Sequence, residues 1–363
     1  MKVPFNILNK SYFMKQAEYE KKVLEILRKG WYVLGEEVEK FEIEFSKYIG
    51  SKYTIGVDNG LNAIVMAVRE LGIGSGDEVI VQANTYIASI MGITMNGATP
   101  ILVEPDEYYN IDAKKIEEKI TSKTKAICIV HLYGQASNMK KIEEISKKYK
   151  LPIIEDCAQS HGADFEGKRT GTFGIGCFSF YPSKNLGCFG DGGAISTNSD
   201  KENRNFRVLR NYGSEKRYYN EVVGYNSRLD ELQAGLLRVK LGHIEELTSQ
   251  RIYIAKRYLN EITNKLIELP RIREGATHVW HLFVVKTEKR DDFQEYLKSF
   301  DIGTVIHYPI PPHLSEAYKY LGYKEGDFPI TEKYAKTLLS LPLYNGMTDE
   351  EISYVIDVIN KYE

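Results

Sequence analysis

Cysteine is scarce in this sequence, and neither sign of charge predominates. The four cysteines, Cys128, Cys157, Cys177 and Cys188, form no C-x-x-C pair and have no clustered histidines beside them. The ligand pattern of a zinc site is therefore missing, no metal is predicted, and the cysteines are interpreted as reduced thiols. The 48 basic and 50 acidic residues nearly cancel. This balance argues against nucleic acid or a membrane surface as the main partner, because both favour a basic excess.

Long apolar runs are also missing. No stretch approaches the roughly 20 residues needed to span a bilayer. The start of the chain, MKVPF, lacks the basic segment and apolar run of a signal peptide. These absences predict a cytoplasmic protein. The 363 residues, 43% of them hydrophobic, are enough for a sizeable core and for two domains.

Short β-rich runs alternate with helical patterns from Tyr53 onward. Two amphipathic helices precede them, and Gly30 and Gly50 are expected to end these helices. Helical patterns such as residues 61–71 and 139–149 separate most of the β-rich runs. The predicted strands are 53–57, 78–81, 100–103, 126–130, 152–155, 176–181 and 194–197. Such alternation favours an α/β domain around a mostly parallel sheet.

A long helical pattern over residues 229–266 leads into the last third of the chain. The elements predicted there are strands at 279–285 and 303–308, a helix near Phe293 and a last helix from Asp349. This mixture predicts a smaller α+β domain. We place the boundary near residue 250, which divides the chain into a large domain, 1–250, and a small C-terminal domain, 251–363.

The first chemical signal is the segment FSFYPSKN, residues 178–185, which is followed by the glycine-rich run LGCFGDGG. An aromatic strand runs into a turn that presents Lys184, and the glycines let backbone approach a ligand closely. Desolvation at the end of a buried strand lowers the pKa of a lysine from roughly 10.4. A neutral lysine forms Schiff bases with carbonyl compounds such as pyridoxal phosphate. Taken alone, this lysine would be interpreted as a solvated residue of a surface loop.

A second segment, LPIIEDCAQSHG at residues 151–162, is an apolar strand that ends on an acid. Ligands of open α/β sheets bind at such strand ends. A carboxylate at Asp156 would keep a pyridine nitrogen protonated and make the ring an electron sink. Many phosphotransfer enzymes also place a magnesium-binding Asp at a strand end, so Asp156 by itself is weak evidence.

Two turns complete the set. Residues 57–63, VDNGLNA, join a strand to a helix whose first N–H groups form an anion site suited to a cofactor phosphate. The turn contains neither a Walker A loop nor a G-x-G-x-x-G motif, and alone it would be structural.

Residues 224–232, GYNSRLDEL, enter a helix and expose Asn226 and Arg228. Alone they would be a helix N-cap with solvated charges.

Together with HLYGQ at residues 131–135, these four segments resemble the sugar-nucleotide aminotransferases of fold type I, the DegT/DnrJ/EryC1/StrS family. The resemblance extends from near the N-terminus to past residue 345. It implies an aspartate aminotransferase-like large domain with a mixed, mostly parallel sheet, and a smaller α+β C-terminal domain. It also implies pyridoxal 5'-phosphate as cofactor and a homodimer with shared active sites.

The same resemblance implies roles for individual residues. Lys184 is the Schiff-base lysine and later the proton shuttle, and Asp156, its catalytic partner, pairs with the pyridinium nitrogen. The other implied cofactor contacts are Gln159 at the phenolic oxygen, Tyr86 stacked on the ring, and Ser179 with the backbone of Gly60 and Leu61 at the phosphate, joined by Asn226 from the partner subunit. The residues implied to border the substrate are Tyr181, Tyr218, Arg228, His307 and Tyr308. His131 is interpreted as structural, and His161 stays open between packing and catalysis.

Within the family, the turn at 57–61 and the segments 181–187 and 307–314 are most similar to the enzymes that aminate C3. The implied reaction moves an amino group from L-glutamate to C3 of a dTDP-3-keto-6-deoxyhexose, of the gluco or the galacto series. The product is a dTDP-3-amino-3,6-dideoxyhexose. A C4-acting sugar-nucleotide aminotransferase is one alternative, and a family dehydratase is disfavoured because it would carry histidine in place of Lys184. From a different class, a catalytically silent PLP-binding regulator or scaffold stays open, although no separate basic segment for DNA is evident.

Overall fold

A computed structural model describes all 363 residues of the chain. The helices are α1 (Leu8–Phe13), α2 (Gln16–Lys29), α3 (Glu36–Ile49), α4 (Gly60–Glu70), α5 (Ile87–Thr94), α6 (Met139–Tyr149), α7 (Asp200–Leu209), α8 (Glu231–Leu241), α9 (Ile244–Glu261), α10 (Arg290–Ser299), α11 (Pro329–Thr337) and α12 (Asp349–Asn360). The strands are β1 (Tyr53–Val57), β2 (Glu78–Gln82), β3 (Thr99–Val103), β4 (Thr124–Val130), β5 (Ile153–Asp156), β6 (Asp164–Phe165), β7 (Lys168–Arg169), β8 (Ile175–Ser179), β9 (Gly193–Thr197), β10 (Ser214–Lys216), β11 (Tyr219–Asn220), β12 (Phe283–Lys286) and β13 (Leu338–Leu341). None of the helices combines the length and the apolar composition that a membrane span requires.

The centre of the fold is a seven-stranded sheet with the strand order β1-β9-β8-β5-β4-β2-β3. Strands β8, β5, β4, β2 and β3 run parallel, whereas β9 is antiparallel to both of its neighbours. Helices cover both faces, so the inner strands are buried along nearly their whole length. Burial on both faces explains why these strands appear in the sequence as continuous apolar runs. The predicted mixed, mostly parallel α/β fold is confirmed.

The predicted strands of this sheet agree with the observed ones to within two residues at either end. The expected helix ends are also observed. Gly30 and Gly50 follow α2 and α3 with φ values of 68° and 83°. This left-handed backbone conformation is costly for other residues, because a Cβ would crowd the carbonyl oxygen.

The single long helix suggested by residues 229–266 is wrong. The structure has two helices there, α8 and α9, which are separated by Gly242 and His243. The N–H group of Gly242 still bonds to the carbonyl of Arg238, but that of His243 turns to the carbonyl of Lys240. Glycine has a low helix propensity, and two acidic residues in the first turn of α9 favour a new helix start there.

In the C-terminal part, β12 and β13 form an antiparallel pair that packs with α9, α10 and α12 around a separate apolar cluster. The strand expected at 303–308 is wrong, since only Val305 pairs, in an isolated bridge to Ser340. Strand β13 was not predicted, because it follows directly on α11. Val3 also packs in this cluster and bridges to Ile302. The domain division near residue 250 stays a proposal, and that residue lies inside α9.

Candidate active site

A cavity of about 660 Å³ lies beside the carboxyl ends of the central parallel strands and the start of α4. This volume is in the range of sites that bind small molecules and cofactors. Strands β4 and β5 are in register at Val130 and Asp156, so their ends reach the same edge of the sheet. The predicted site residues that line the cavity are Gly60, Leu61, Tyr86, Asp156, Gln159, Ser179, Tyr181, Lys184, His307 and Tyr308.

Lys184 lies in a tight turn just after β8. Its backbone N–H donates to the carbonyl of Tyr181 at 2.8 Å, and a Cβ on Gly187 would come within 2.5 Å of the carbonyl oxygen of Pro182. Only glycine therefore fits this turn. Burial lowers the pKa of Lys184 to about 8, with a partial opposing effect from the Asp156 carboxylate. The neutral, nucleophilic form of this amine is therefore much more accessible near neutral pH than that of a solvated lysine.

Asp156 ends β5 and is held by two donors. Its Oδ2 accepts from the hydroxyl of Ser89 at 2.7 Å, and its Oδ1 accepts from the N–H of Ala158 at 3.1 Å. The hydroxyl oxygens of Thr85 and Ser89 are 2.8 Å apart. Ser89 was not predicted from the sequence, although two hydroxyl residues four positions apart at a helix start were a usable signal. The carboxylate is thus fixed in orientation while it still faces the cavity.

The first turn of α4 forms an anion-binding cradle. Asn59 caps the helix by accepting from the N–H of Asn62 at 2.8 Å. The N–H groups of Gly60 and Leu61 have no acceptor within the helix, as is general for a first turn. A Cβ on Gly60 would lie 2.6 Å from the Cβ of Ser179, so glycine permits the close approach of α4 to the end of β8. The hydroxyl of Ser179 accepts from the N–H of Tyr181, which leaves its own hydrogen for an anion.

The rim of the cavity is aromatic. Tyr86 is half-exposed, and its ring centroid is 5.2 Å from that of Tyr308. The amide oxygen of Gln159 accepts from the N–H of Tyr133 at 2.7 Å, and its Nε2 donates to the hydroxyl of Tyr308 at 3.1 Å. These bonds orient the amide group so that Gln159 offers its nitrogen to the cavity. His307 Nδ1 is 2.8 Å from the hydroxyl of Ser340.

Three of the predicted residues do not line this cavity: Tyr218, Asn226 and Arg228. Tyr218 is 81% exposed. Asn226 is exposed in the turn before α8, and Arg228 donates to the side chain of Asn211 at 3.0 Å. Within a single chain these side chains do not contribute to the wall of the cavity.

The two histidines of the sequence motifs, His131 and His161, have different surroundings. His131 donates from Nε2 to Glu155 at 3.0 Å, because its Nδ1 accepts from the N–H of Ser137. Glu155 also accepts from three backbone N–H groups at 171–174. Cys157 lies beside this pair in a geometry a metal could use, but hydrogen bonds already occupy the imidazole and the carboxylate. His161 is buried against Phe178 and outside the cavity wall, which favours packing.

Several cavity residues carry no recognisable signal in the sequence. Phe5 and Asn6 reach the site from the N-terminus, and Arg251 and His281 reach it from the C-terminal part. Each belongs to a segment distant in sequence from the motifs at 151–193. Only the packing of the C-terminal part against the sheet brings these residues to the cavity.

Comparisons with known proteins agree with this arrangement. Residues 14–360 match the DegT/DnrJ/EryC1/StrS aminotransferase family. The dTDP-3-amino-3,6-dideoxy-alpha-D-galactopyranose transaminase of Aneurinibacillus thermoaerophilus is 51% identical over 99% of both chains.

Two solved structures are also similar. DesV of Streptomyces venezuelae, in complex with a ketimine intermediate, superimposes with a TM-score of 0.97 at 42% identity, covering 99% of this chain and 98% of that one. NtdA from Bacillus subtilis, with bound cofactor PMP, gives a TM-score of 0.91 at 33% identity, covering 99% of this chain and 84% of that one. The aminotransferase class, the fold type and the dependence on pyridoxal phosphate that the sequence predicted are thereby confirmed. The chain belongs to the DegT/DnrJ/EryC1/StrS aminotransferase family.

Proposed function

We propose that this aminotransferase moves an amino group from L-glutamate to C3 of a dTDP-3-keto-6-deoxyhexose, forming a dTDP-3-amino-3,6-dideoxyhexose. The observation that carries the proposal is the 51% identity over nearly the full length to a relative named for a 3-amino-3,6-dideoxy sugar. The cavity residues Tyr181, His307 and Tyr308 belong to the segments that resemble C3-acting enzymes.

The donor groups of the cavity fit pyridoxal phosphate. The open N–H groups at the start of α4 and the hydroxyl of Ser179 suit its phosphate. The carboxylate of Asp156 suits the pyridinium nitrogen, and Lys184 lies in the same cavity with a pKa lowered to about 8 by burial. Gln159 has an N–H to donate to the phenolic oxygen, and Tyr86 has a free ring face.

The chemistry that bound pyridoxal phosphate supplies is withdrawal of electrons from the carbon whose proton is removed. Asp156 would keep a proton on the ring nitrogen, and Ser89 holds the carboxylate of Asp156 in place. Lys184 would hold the cofactor covalently and, as a free amine, would carry the proton between the two carbons. Burial lowers the pKa of that amine to about 8, so it gives up its proton more readily than a solvated lysine and can act as a base.

The sugar is oriented by the walls of the cavity. Burial and the nearby Lys184 lower the pKa of His307 to about 4, so this imidazole is neutral and hydrogen-bonds without adding charge. Tyr181 and Tyr308 add hydroxyl groups to the lining of the cavity. A misplacement of about 1 Å can cost ~100-fold in rate, so such walls suffice to select one carbonyl.

The substrate position is tested with a panel of keto-sugars. With L-glutamate as donor, we expect turnover of dTDP-3-keto-6-deoxyglucose or its galacto epimer, with nitrogen on C3 by NMR. dTDP-4-keto-6-deoxyglucose supplied separately is the matched control and should be a poor substrate. Efficient amination of only the 4-keto compound, at C4, would contradict the C3 assignment and support the alternative.

A silent PLP-binding regulator would behave differently. L-Glutamate should then leave the absorbance of the bound cofactor unchanged, whereas a transaminase alters it on mixing. This measurement needs no sugar substrate, so it separates the two classes before the sugar is known.

The proposal includes a homodimer with shared sites. Asn226 is exposed and lies outside the cavity of its own chain, and it is supplied to the phosphate site of the partner. The turn that carries Asn226 is tied to α4, since the hydroxyl of Ser227 donates to Asp58 and Asp58 accepts from Asn62. A phosphate site that is completed by the second subunit makes the dimer necessary for activity.

Mixing two inactive variants tests the shared site. In Asn226→Asp a carboxylate would repel the phosphate, and Lys184→Ala removes the catalytic amine. Equal mixing and reassembly should restore roughly one quarter of wild-type activity, because half of the dimers are mixed and one of their two sites is intact.

The matched control mixes Lys184→Ala with the double variant Lys184→Ala/Asn226→Asp, in which no site is intact. Verified mixed dimers that stay as inactive as this control would contradict the shared site.

A further inference from the structure

Arg251 is a buried cation in the cavity wall with no acidic partner. It lies on α9, is 6% exposed and lines the cavity. The other deeply buried arginines, Arg210 and Arg290, each form an ion pair, with Glu42 and Asp291. Arg251 forms no ion pair with any residue of the chain. Burial of an unpaired charge is costly, so the missing partner requires an explanation.

The guanidinium of Arg251 is held in a fixed orientation. Its Nε donates to the carbonyl of Trp280 at 2.7 Å, and its Nη2 donates to the carbonyls of His281 and Leu343 at 2.7 and 3.1 Å. Its Nη1 donates to no protein atom. Unlike Nε of Arg210, which is buried without a partner, Nη1 of Arg251 is not fully enclosed by the protein. The side of the guanidinium that carries Nη1 therefore faces the cavity.

Neither of the two acidic side chains in the cavity wall pairs with Arg251. Asp156 is held by Ser89 and Ala158, and Asp191 is an exposed residue of the cavity rim. Neither pairs with the guanidinium. Burial lowers the pKa of Arg251 to about 9, with no opposing charge, which leaves the group protonated at neutral pH. The pKa of His281 is also lowered by burial, so this neighbour is neutral.

The guanidinium is linked to the catalytic lysine through short contacts. His281 Nδ1 is 3.3 Å from the side-chain oxygen of Asn185, which directly follows Lys184 in the chain, and the carbonyl of His281 accepts from Arg251. Both Lys184 and Arg251 line the same cavity. An amino acid carries its α-carboxylate on the carbon that bears the amino group, so a cation and an amine that line one cavity can contact both groups of the donor.

We propose that Arg251 binds the α-carboxylate of the amino donor, so that the carbon bearing the amino group faces Lys184. This inference rests on the proposed aminotransferase function and adds the recognition of its first substrate. A guanidinium fork suits a carboxylate because two parallel N–H groups match its two oxygens. The dTDP-sugar has no carboxylate, so Arg251 discriminates between the two substrates of a single cavity.

Single-turnover experiments on the holoenzyme test this assignment, since the two half-reactions can be followed separately by the absorbance of the cofactor. Arg251→Gln should weaken the apparent binding of L-glutamate at least about 30-fold, as expected when one partner of a buried charged pair is lost. The half-reaction that consumes the dTDP-keto-sugar should change by less than about twofold, which is negligible on the same scale. Arg251→Lys, which keeps a cation, should be intermediate. The control is Arg257→Gln, an outward-facing position on the same helix that pairs with Glu261, and it should alter neither half-reaction.

The preference of the enzyme between two amino donors is a further measurement, and it should not change if Arg251 has only a structural role. 4-Aminobutyrate is glutamate without its α-carboxylate. Wild-type protein should prefer L-glutamate over it, and this preference should collapse in Arg251→Gln. Equal losses in both half-reactions, or an unchanged preference, would overturn the role of Arg251. A wild-type protein that reacts with L-glutamate but with no keto-sugar would contradict the proposed acceptor alone, and the role of Arg251 would stand.

Discussion

Replacement of Lys184 by alanine should abolish transamination while the fold survives. The loss removes both the covalent attachment of the cofactor and the base that moves the proton, and the base alone is worth ~100- to 10,000-fold in rate. The fold should survive because Lys184 Nζ makes no hydrogen bond with the protein, so no buried partner is left unsatisfied. Turnover with L-glutamate and the melting temperature of the same preparation measure the two effects.

Because the pKa of Lys184 is lowered, the difference in melting temperature between the wild type and Lys184→Ala should depend on pH. The pKa falls from 10.5 to about 8, so folding disfavours the protonated amine. This destabilisation is fully present below pH 8 and disappears as the pH rises towards 10.5. The cofactor-free Lys184→Ala protein should therefore exceed the cofactor-free wild type in melting temperature most clearly at neutral pH.

Lys240 provides the internal control for the attachment of the cofactor. It is also buried, and burial lowers its pKa to about 8, but it lies outside the cavity wall and donates to the carbonyl of Gly187. Borohydride reduction of the holoenzyme and peptide mapping should find the label on Lys184. A label on Lys240 or on any other lysine would contradict the assignment.

Replacement of Asp156 by asparagine should leave the cofactor bound but reduce turnover by about 100-fold or more. An amide carries no charge to keep the ring nitrogen protonated, and the loss of one charge-assisted hydrogen bond of ~3 kcal/mol corresponds to that factor. The phosphate cradle at α4 and Lys184 are unchanged, so binding should persist. The measurements are cofactor content, by absorbance after gel filtration, and turnover.

Asp191→Asn is the matched control for this effect. Asp191 is the other carboxylate in the cavity wall, and it is exposed. The same change of charge at this position should have little effect on turnover. Near-normal turnover of Asp156→Asn would mean that the acid at the end of β5 has another role.

Much of the large-domain fold could be predicted from the sequence alone. The strands β2, β4 and β5 are buried on both faces, so each contains consecutive apolar residues and is flanked by polar ones. Lys184 and Asp156 could be predicted for a related reason. Asp156 is the last residue of β5 and Lys184 lies in the turn after β8, and parallel strands bring their carboxyl ends to one edge of the sheet.

Other features depend on contacts between segments distant in sequence. The prediction of a strand at 303–308 was wrong because an apolar pattern does not specify whether a partner strand lies within hydrogen-bonding distance. The break between α8 and α9 was missed because the helical periodicity continues across Gly242. Arg251 gave no signal, since an arginine on an amphipathic helix is ordinarily solvated.

The sequence by itself determined the order of the elements, the sheet, and the lysine and aspartate at its edge, because these follow from local patterns of burial and turn formation. Only the tertiary structure decided that Ser89 orients Asp156, that Phe5 and Arg251 complete the cavity, and that Asn226 lies outside it. The physical reason is that a side chain acquires a lowered pKa, a fixed orientation or an unpaired charge from the groups packed around it. Those groups come from elements that no sequence window contains together.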